Sequence, residues 1–333
     1  MCLGGWEEPT MPKHKKRYWQ KYDMLYKNCS KKRLFKQLKA SCENLGCPYE
    51  KKGNRGRSLK FSPIEYAAFI SLQKMFGHKS REMELEADLF LSDKADHSTF
   101  ARNYKRIPTE YIEKLIIPFV KKKYCLLIAD STAMSTKIRV ERIKAGTRNK
   151  QKLTNKFHIL VGYDPEDHEV MILGVKATDN HTSDSKGACM ILNKLENPFA
   201  YFFGDSAYHT YELHNIGKEK KLIVMTKPDK KGIRKKMSAK AINTKKFNER
   251  LYKEIRGIVE TVFSGLTNAG LITTFAKTTK AIQLDTLMLA LRHNLMTSIR
   301  LYKLIMRQTL KYGTVKLSVL AKLFGPFNRL PTF

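Results

Sequence analysis

Residues 124–132 read YCLLIADST, an apolar run of strand length that ends on a carboxylate and two hydroxyl side chains. Residues 200–206, AYFFGDS, have the same pattern, an apolar run that ends on Asp followed by Ser, so Asp205 corresponds in position to Asp130. Functional side chains gather at the carboxyl ends of strands in open α/β sheets, so these aspartates meet if the two strands are parallel neighbours. An Asp at a strand end also caps turns, which is the structural explanation for either residue taken alone.

A third carboxylate stands on a predicted helix. In LYKEIRGIVETVFSGL, residues 251–266, the apolar residues recur at the spacing of one buried helical face, and Glu260 lies beside that face. Arg256 precedes Glu260 by four residues, where its guanidinium can contact a DNA phosphate. An ordinary i,i+4 Arg–Glu pair, worth about 0.2–0.5 kcal/mol, is the alternative that needs no function.

The charge of the chain indicates the class of its partner. Lys and Arg total 63 against 31 Asp and Glu, which gives a formal net charge of +32. This charge predicts a polyanionic partner, and nucleic acid is the first candidate. A membrane surface is the other common polyanion, but no apolar run approaches the roughly 18 residues of a spanning helix, and the N-terminus lacks the apolar core of a secretory signal. We therefore expect a soluble, cytoplasmic, nucleoid-associated protein that acts on DNA or RNA.

The three acids also predict a cofactor. Mg²⁺ prefers oxygen ligands and is usually held by one or two carboxylates, with water and substrate phosphate completing its shell. Two such ions activate an attacking oxygen and stabilise a leaving one, and phosphoryl transfer needs that charge neutralisation. Carboxylates at two strand ends and on a helix, in a chain this basic, favour metal-dependent phosphodiester chemistry.

Two halves of different character follow a basic N-terminal arm, residues 1–32. Residues 33–120 have helical patterns, and SPIE at 62–65 supplies an N-cap serine, a first-turn proline and a capping-box acid. Another helix is expected from about Ser80, and a further one reaches toward Ile117. This half therefore predicts a small helical domain.

The remainder of the chain predicts a mixed α/β domain. Apolar runs of strand length begin at residue 124 and read, in order, YCLLIAD, KFHILVGYD, HEVMILGVKA, AYFFGD and KLIVMTK. Helical stretches separate the later runs. After a basic linker at 227–240, two more helices are predicted at about 247–266 and 279–305.

Taken in order, these segments resemble the DDE-type transposases of insertion sequences, whose catalytic domain has a ribonuclease-H-like fold. The resemblance covers roughly residues 62–301. It rests on the Arg256 and Glu260 helix and on five blocks: ADHSTFARNYKRI, IADST, NKFHILVGYD, ATDNHTSDSKGACMIL and FFGDSAYHT. Asp205 and Glu260 are 55 residues apart, which leaves no room for the large β-rich insertion that some relatives carry there.

The resemblance implies a fold and a domain order. It predicts a mixed five-stranded sheet flanked by helices, with an N-terminal helical domain. The expected units are the arm at 1–32, a helical DNA-binding domain at 33–120, the ribonuclease-H-like catalytic domain at 121–310 and a C-terminal tail at 311–333.

The resemblance also implies a site and an activity. Asp130, Asp205 and Glu260 would be the catalytic, metal-binding acids, holding two Mg²⁺ or Mn²⁺ ions, and Arg256, Lys156 and Lys253 would contact DNA. Expected partners are double-stranded DNA, as terminal inverted repeats and target, and further copies of the chain in a homodimer or higher multimer. The family often has a Tyr three residues before the Arg and a Lys seven after the Glu; here those positions hold Lys253 and Thr267, with Tyr252 displaced by one.

Alternative interpretations stay open. A catalytically inactive DNA-binding regulator derived from a transposase, or a metal-dependent nuclease of the same fold that only hydrolyses, fits the same residues. His181 and Asp184 fit either a ligand role or the capping of a helix, and His158 fits a structural histidine. The cysteines at 29, 42 and 47 are expected to be reduced thiols, because no second closely spaced pair completes a four-ligand zinc site.

Overall fold

The computed structural model describes most of the two predicted halves. The described residues are 30–50, 58–117, 120, 124–136, 154–165, 169–195, 200–228, 238–268, 273–274 and 278–312. The predicted arm and tail lie outside them except for residues 30–32 and 311–312. None of the described helices has both the length and the apolar character that crossing a membrane requires.

The N-terminal half is helical, as predicted. Its helices are α1 (Lys31–Leu45), α2 (Pro63–Met75), α3 (Ser80–Glu86), α4 (His97–Arg106) and α5 (Thr109–Ile116), with a 3-10 turn at Ala87–Leu89. The capping box of α2 is confirmed, because the Glu65 N–H donates to Ser62 Oγ and the Ser62 N–H donates to the Glu65 carboxylate, each over 3.1 Å.

Two helix boundaries in this half differ from the prediction. Lys31 and Lys32 belong to α1, which Ser30 caps, so the helical half begins two residues inside the predicted arm. The single helix expected to reach Ile117 is two helices, α4 and α5. The chain breaks there because Pro108 lacks an N–H and forces Ile107 out of the helical region, to φ −61° and ψ 122°.

The C-terminal half is built on the predicted sheet. Its strands are β1 (Leu126–Thr136), β2 (Thr154–Asp164), β3 (Glu169–Asp179), β4 (Ala200–Gly204), β5 (Leu222–Thr226) and the two-residue β6 (Thr273–Thr274). The main order is β3-β2-β1-β4-β5, with β1, β2 and β3 antiparallel and β4 and β5 parallel to β1. This is the ribonuclease-H-like arrangement, and the predicted five-stranded mixed sheet is confirmed. The sixth strand, β6, pairs with β1 and is too short to leave a sequence pattern.

Helices cover the sheet on both faces and along one edge. They are α6 (Asp184–Leu192), α7 (Tyr211–Glu219), α8 (Ala239–Lys245), α9 (Glu249–Asn268) and α10 (Thr279–Tyr312). Helix α8 falls partly in the segment predicted to be a basic linker, where Ser238 caps it. Apolar side chains form one buried cluster that α9, α10 and the helical half share with the sheet, and a second cluster with α6 and α7.

The outer edge of β3 is sealed by side chains of α10. Asn294 accepts from the Ile172 N–H and donates to the Ile172 carbonyl, both over 2.8 Å. Gln283 accepts from the Ala177 N–H over 2.7 Å. Because an open strand edge exposes unpaired backbone groups, these bonds both fix α10 and prevent further strand pairing.

A close approach of α6 to β2 fixes the packing next to the end of β1 that carries Asp130. His158 on β2 is fully buried, its Nε2 lies 2.9 Å from Thr178 Oγ1, and burial lowers its pKa to about 4. A Cβ added to Gly187 on α6 would lie 2.2 Å from His158 Nδ1. Only glycine therefore lets the helix pack on this histidine, and His158 is structural here.

Gly187→Ala is expected to destabilise the protein by about 1–3 kcal/mol, because a new methyl group would overlap a buried ring. The matched control is Gly265→Ala on α9, where an added Cβ meets nothing within 4 Å. That change should leave stability unchanged or raise it by up to about 1 kcal/mol. Urea denaturation of both variants measures the difference, and equal stabilities would contradict the packing.

Candidate active site

The pairing of β1 with β4 brings two acids to one edge of the sheet. Ile128 lies opposite Phe203 in parallel register, so Asp130 and Asp205 each follow two residues beyond that pair. Asp130 accepts from the Ser131 N–H over 2.9 Å, and Asp205 caps the 3-10 turn Ser206–Tyr208 by accepting from the Ala207 N–H over 2.8 Å. The structure thus brings the first two predicted acids together.

Asp130 lies in an environment that disfavours its charge. Burial raises the pKa of its carboxyl, and the neighbouring Asp205 raises it further. Arg256 and the Ser131 N–H act in the opposite direction without cancelling the rise. The pKa of Asp130 therefore stays raised mainly by burial, despite the Arg256 guanidinium beside it.

Arg256 reaches into the site from α9. Its Nη2 lies 3.0 Å from Asp130 Oδ2, and the side chain is only 15% exposed. Its Nε and Nη1 are buried and have no hydrogen-bond partner among the described residues. The guanidinium expected to face a phosphate therefore serves here as the counter-charge of Asp130, with two donors unused.

Glu260 remains on the surface of α9. Its side chain is 71% exposed, and its Oε1 lies 3.7 Å from Arg256 Nη1. Within the described residues, the one group of at least three His, Cys, Asp or Glu with ligand atoms all within 4.8 Å lies elsewhere, so Glu260 is not closed onto Asp130 and Asp205. Arg256 instead contacts both Asp130 and Glu260.

A fourth carboxylate borders the site. Asp184, the first residue of α6, accepts from Ser131 Oγ over 2.6 Å and from Lys156 Nζ over 2.8 Å. Burial alone would raise the pKa of Asp184, but the hydrogen bonds from Lys156 and Ser131 outweigh it, and the pKa falls. From the sequence, Asp184 could be interpreted as part of a helix cap. Its contacts with Ser131 on β1 and Lys156 on β2 form only when the sheet folds.

The other two predicted DNA contacts differ in environment. Lys156 is committed to Asp184 and to the Thr182 carbonyl, 3.2 Å away. Lys253 on α9 is 72% exposed and pairs with Glu249 over 2.9 Å. An exposed pair of this kind contributes little, so the Lys253 ammonium is accessible to another anion, whereas that of Lys156 is held within the site.

The group of close ligand atoms found elsewhere consists of Glu84, Asp96 and His97 in the helical half. Glu84 accepts from the His97 N–H over 3.1 Å, and Asp96 caps α4 by accepting from the Ser98 N–H over 2.7 Å. Helix capping accounts for this exposed cluster.

The cysteines and His181 do not assemble a site in the described part of the chain. Cys42 is buried in the helical core, where burial raises its thiol pKa to about 11, and Cys47 is exposed. Cys29, the third residue of the zinc alternative, lies outside the described residues. The His181 N–H donates to Asp179 in an exposed turn that precedes Ser183, the cap of α6.

A buried histidine pair fastens the loop that carries Asp205. His209 Nδ1 lies 2.8 Å from Thr226 Oγ1 at the end of β5, and His214 Nε2 lies 3.2 Å from His209 Nδ1. The Asn243 amide on α8 donates to His214 Nδ1 over 3.1 Å. Burial, His209 and Lys240 lower the His214 pKa to about 3, so this ring is neutral.

In a comparison with known protein families, residues 121–295 match the model of the transposase DDE domain. A search of curated proteins returns no match. A cryo-EM structure of the piggyBac transposase synaptic complex with hairpin DNA aligns with 9% identity and a TM-score of 0.39, covering 95% of this chain and 86% of the other.

Acid is expected to destabilise the protein through His214. In the unfolded protein the His214 ring has a pKa near 6.5, whereas in the folded protein it binds a proton only near pH 3. The folded state therefore loses stability relative to the unfolded state as the pH falls through this range. Between pH 7 and pH 5 the contribution is about 2 kcal/mol. His214→Gln should lose correspondingly less stability over that interval in urea titrations, and an unchanged pH slope would contradict the neutral histidine.

Proposed function

The chain belongs to the family of transposase DDE domains, and from that premise we propose that it cuts DNA at the ends of a mobile element and joins them to target DNA. The observation that carries the proposal is the β1–β4 register, which places Asp130 beside Asp205. Glu260 stands one helical turn from the arginine that contacts Asp130. All three acids fall within the matched residues.

We propose that Asp130, Asp205 and Glu260 hold two Mg²⁺ or Mn²⁺ ions. The donor set fits, because carboxylate oxygens are the ligands these ions prefer. A cation beside Asp130 would offset the burial and the Asp205 charge that disfavour its ionised form. When bound, the ions would activate the attacking oxygen and stabilise the leaving oxygen. Arg256 already pairs with Asp130, and the exposed Glu260 side chain is unconfined by packing.

The DNA is held by the basic surface in this proposal. Lys253 is accessible on α9, and Arg256, whose Nε and Nη1 are buried without a hydrogen-bond partner among the described residues, would contact a phosphate oxygen that enters the site. Lys156 is better suited to orienting Asp184 and Ser131 than to reaching DNA from its present position. The net charge of +32 favours salt-sensitive backbone binding, with terminal inverted repeats and target DNA as substrates.

The domain order follows from the same assignment. The helical half, 33–120, would bind DNA, and residues 121–310 would form the catalytic domain, with the arm at 1–32 and the tail at 311–333 flanking them. Acting on two element ends favours a homodimer or higher multimer on DNA.

The test is cleavage and strand transfer on DNA that carries the element's own flanking ends, with Mg²⁺ or with EDTA. Asp205→Asn and Glu260→Gln should each lower cleavage at least about 100-fold, since even an outer-shell partner of a metal costs 10–100-fold. Glu249→Gln is the matched control, because Glu249 is 70% exposed on the same helix and should be dispensable.

Each outcome separates one interpretation. Full activity of Glu260→Gln would remove Glu260 from the site. Cleavage without joining by the unaltered chain would indicate a hydrolytic nuclease, and DNA binding without either reaction would indicate a regulator.

A further inference from the structure

Tyr208 ends the 3-10 turn that Asp205 caps. Its N–H lies 3.2 Å from the Asp205 carbonyl, and the residue is only 1% exposed. A Cβ added to Gly204 would lie 2.7 Å from the Tyr208 ring, so the ring is packed directly on the end of β4. The backbone and this packing leave the tyrosine little freedom to turn elsewhere.

The Tyr208 hydroxyl adjoins the Ser131 side chain and bonds to none of the acids in the described part of the chain. Burial raises the pKa of this hydroxyl, and the charges of Asp130, Asp184 and Asp205 each raise it further. The contact with Ser131 acts in the opposite direction and lowers the pKa. Within the described residues the hydroxyl has no partner within hydrogen-bonding geometry, and Ser131 Oγ itself donates to Asp184.

A buried hydroxyl without a partner is costly, because it has lost its hydrogen bonds to water and gained none. A phenylalanine would fill the same space without that cost. The hydroxyl lies next to Ser131, whose own hydroxyl bonds to Asp184, and at the end of the turn that Asp205 caps, which supplies a reason for the tyrosine that packing does not.

We propose that Tyr208 is a further binding residue of the acid site, whose hydroxyl donates a hydrogen bond to an oxygen atom that enters with the ligand. The acceptor is either a water that accompanies the divalent ion or an oxygen of a DNA phosphate. The inference rests on the proposed function, since it requires that this site receives such a ligand.

The experiment compares Tyr208→Phe with a matched control, Tyr66→Phe. Tyr66 is fully buried in the helical half, and its hydroxyl also lacks a hydrogen-bond partner in the part of the chain that the structure describes. Both variants keep the ring, so both should unfold at the same or a higher urea concentration than the unaltered protein. Mn²⁺ binding without DNA is measured by electron paramagnetic resonance of the free ion, and binding of a DNA duplex carrying the element end is measured in EDTA.

Tyr208→Phe should weaken one of these two affinities by about 10-fold, as expected for loss of an outer-shell partner, while Tyr66→Phe changes neither. Weaker Mn²⁺ binding assigns the bond to water that accompanies the ion, and weaker DNA binding assigns it to phosphate. Unchanged affinities in Tyr208→Phe, with the unaltered chain active, would overturn this inference alone. Absence of metal-dependent cleavage in the unaltered chain would instead overturn the proposed function and this inference with it.

Discussion

The parallel pairing of β1 with β4 is the constraint on which the rest of the site depends. Asp130 and Asp205 are 75 residues apart in the chain, and only the register that sets Ile128 opposite Phe203 brings them level. A shift by one residue would turn one aspartate to the other face of the sheet, since side chains alternate along a strand. The antiparallel strands β2 and β3 on one side and β5 on the other hold that register.

The electrostatics of the site follow from this juxtaposition. Two carboxylates at one sheet edge, one of them largely buried, disfavour ionisation unless a cation is near. Arg256 meets that need for Asp130 at 3.0 Å and holds Glu260 only loosely at 3.7 Å. The i,i+4 pair seen in the sequence is thus the weaker of the two contacts of this arginine. Burial decides the difference, because Asp130 is 17% exposed and Glu260 is 71% exposed.

The elements of the fold that could be predicted are those that produce a local pattern in the sequence. The SPIE capping box marked the start of α2, apolar runs marked β1 to β5, and the apolar stripe of α9 marked the helix that carries Glu260. Strand β6 is too short for a pattern, and α8 was hidden in a basic stretch. The bonds from Lys156 and Ser131 to Asp184, and the contact of Tyr208 with Ser131, join residues that the sheet brings together. Spacing along the chain does not encode these contacts.

Helix α10 links the geometry of the acids to the helical half of the protein. Its Asn294 and Gln283 bond to the edge of β3, while its Asp285 accepts from the Tyr104 hydroxyl of α4 over 2.5 Å. Arg292 adds a bond to the Met75 carbonyl at the end of α2 over 3.0 Å. One rigid helix therefore fixes the sheet and the helical half against each other. In the proposed function, DNA held by the helical half would consequently lie at a set position relative to the acid edge of the sheet, as cleavage at a defined phosphate requires.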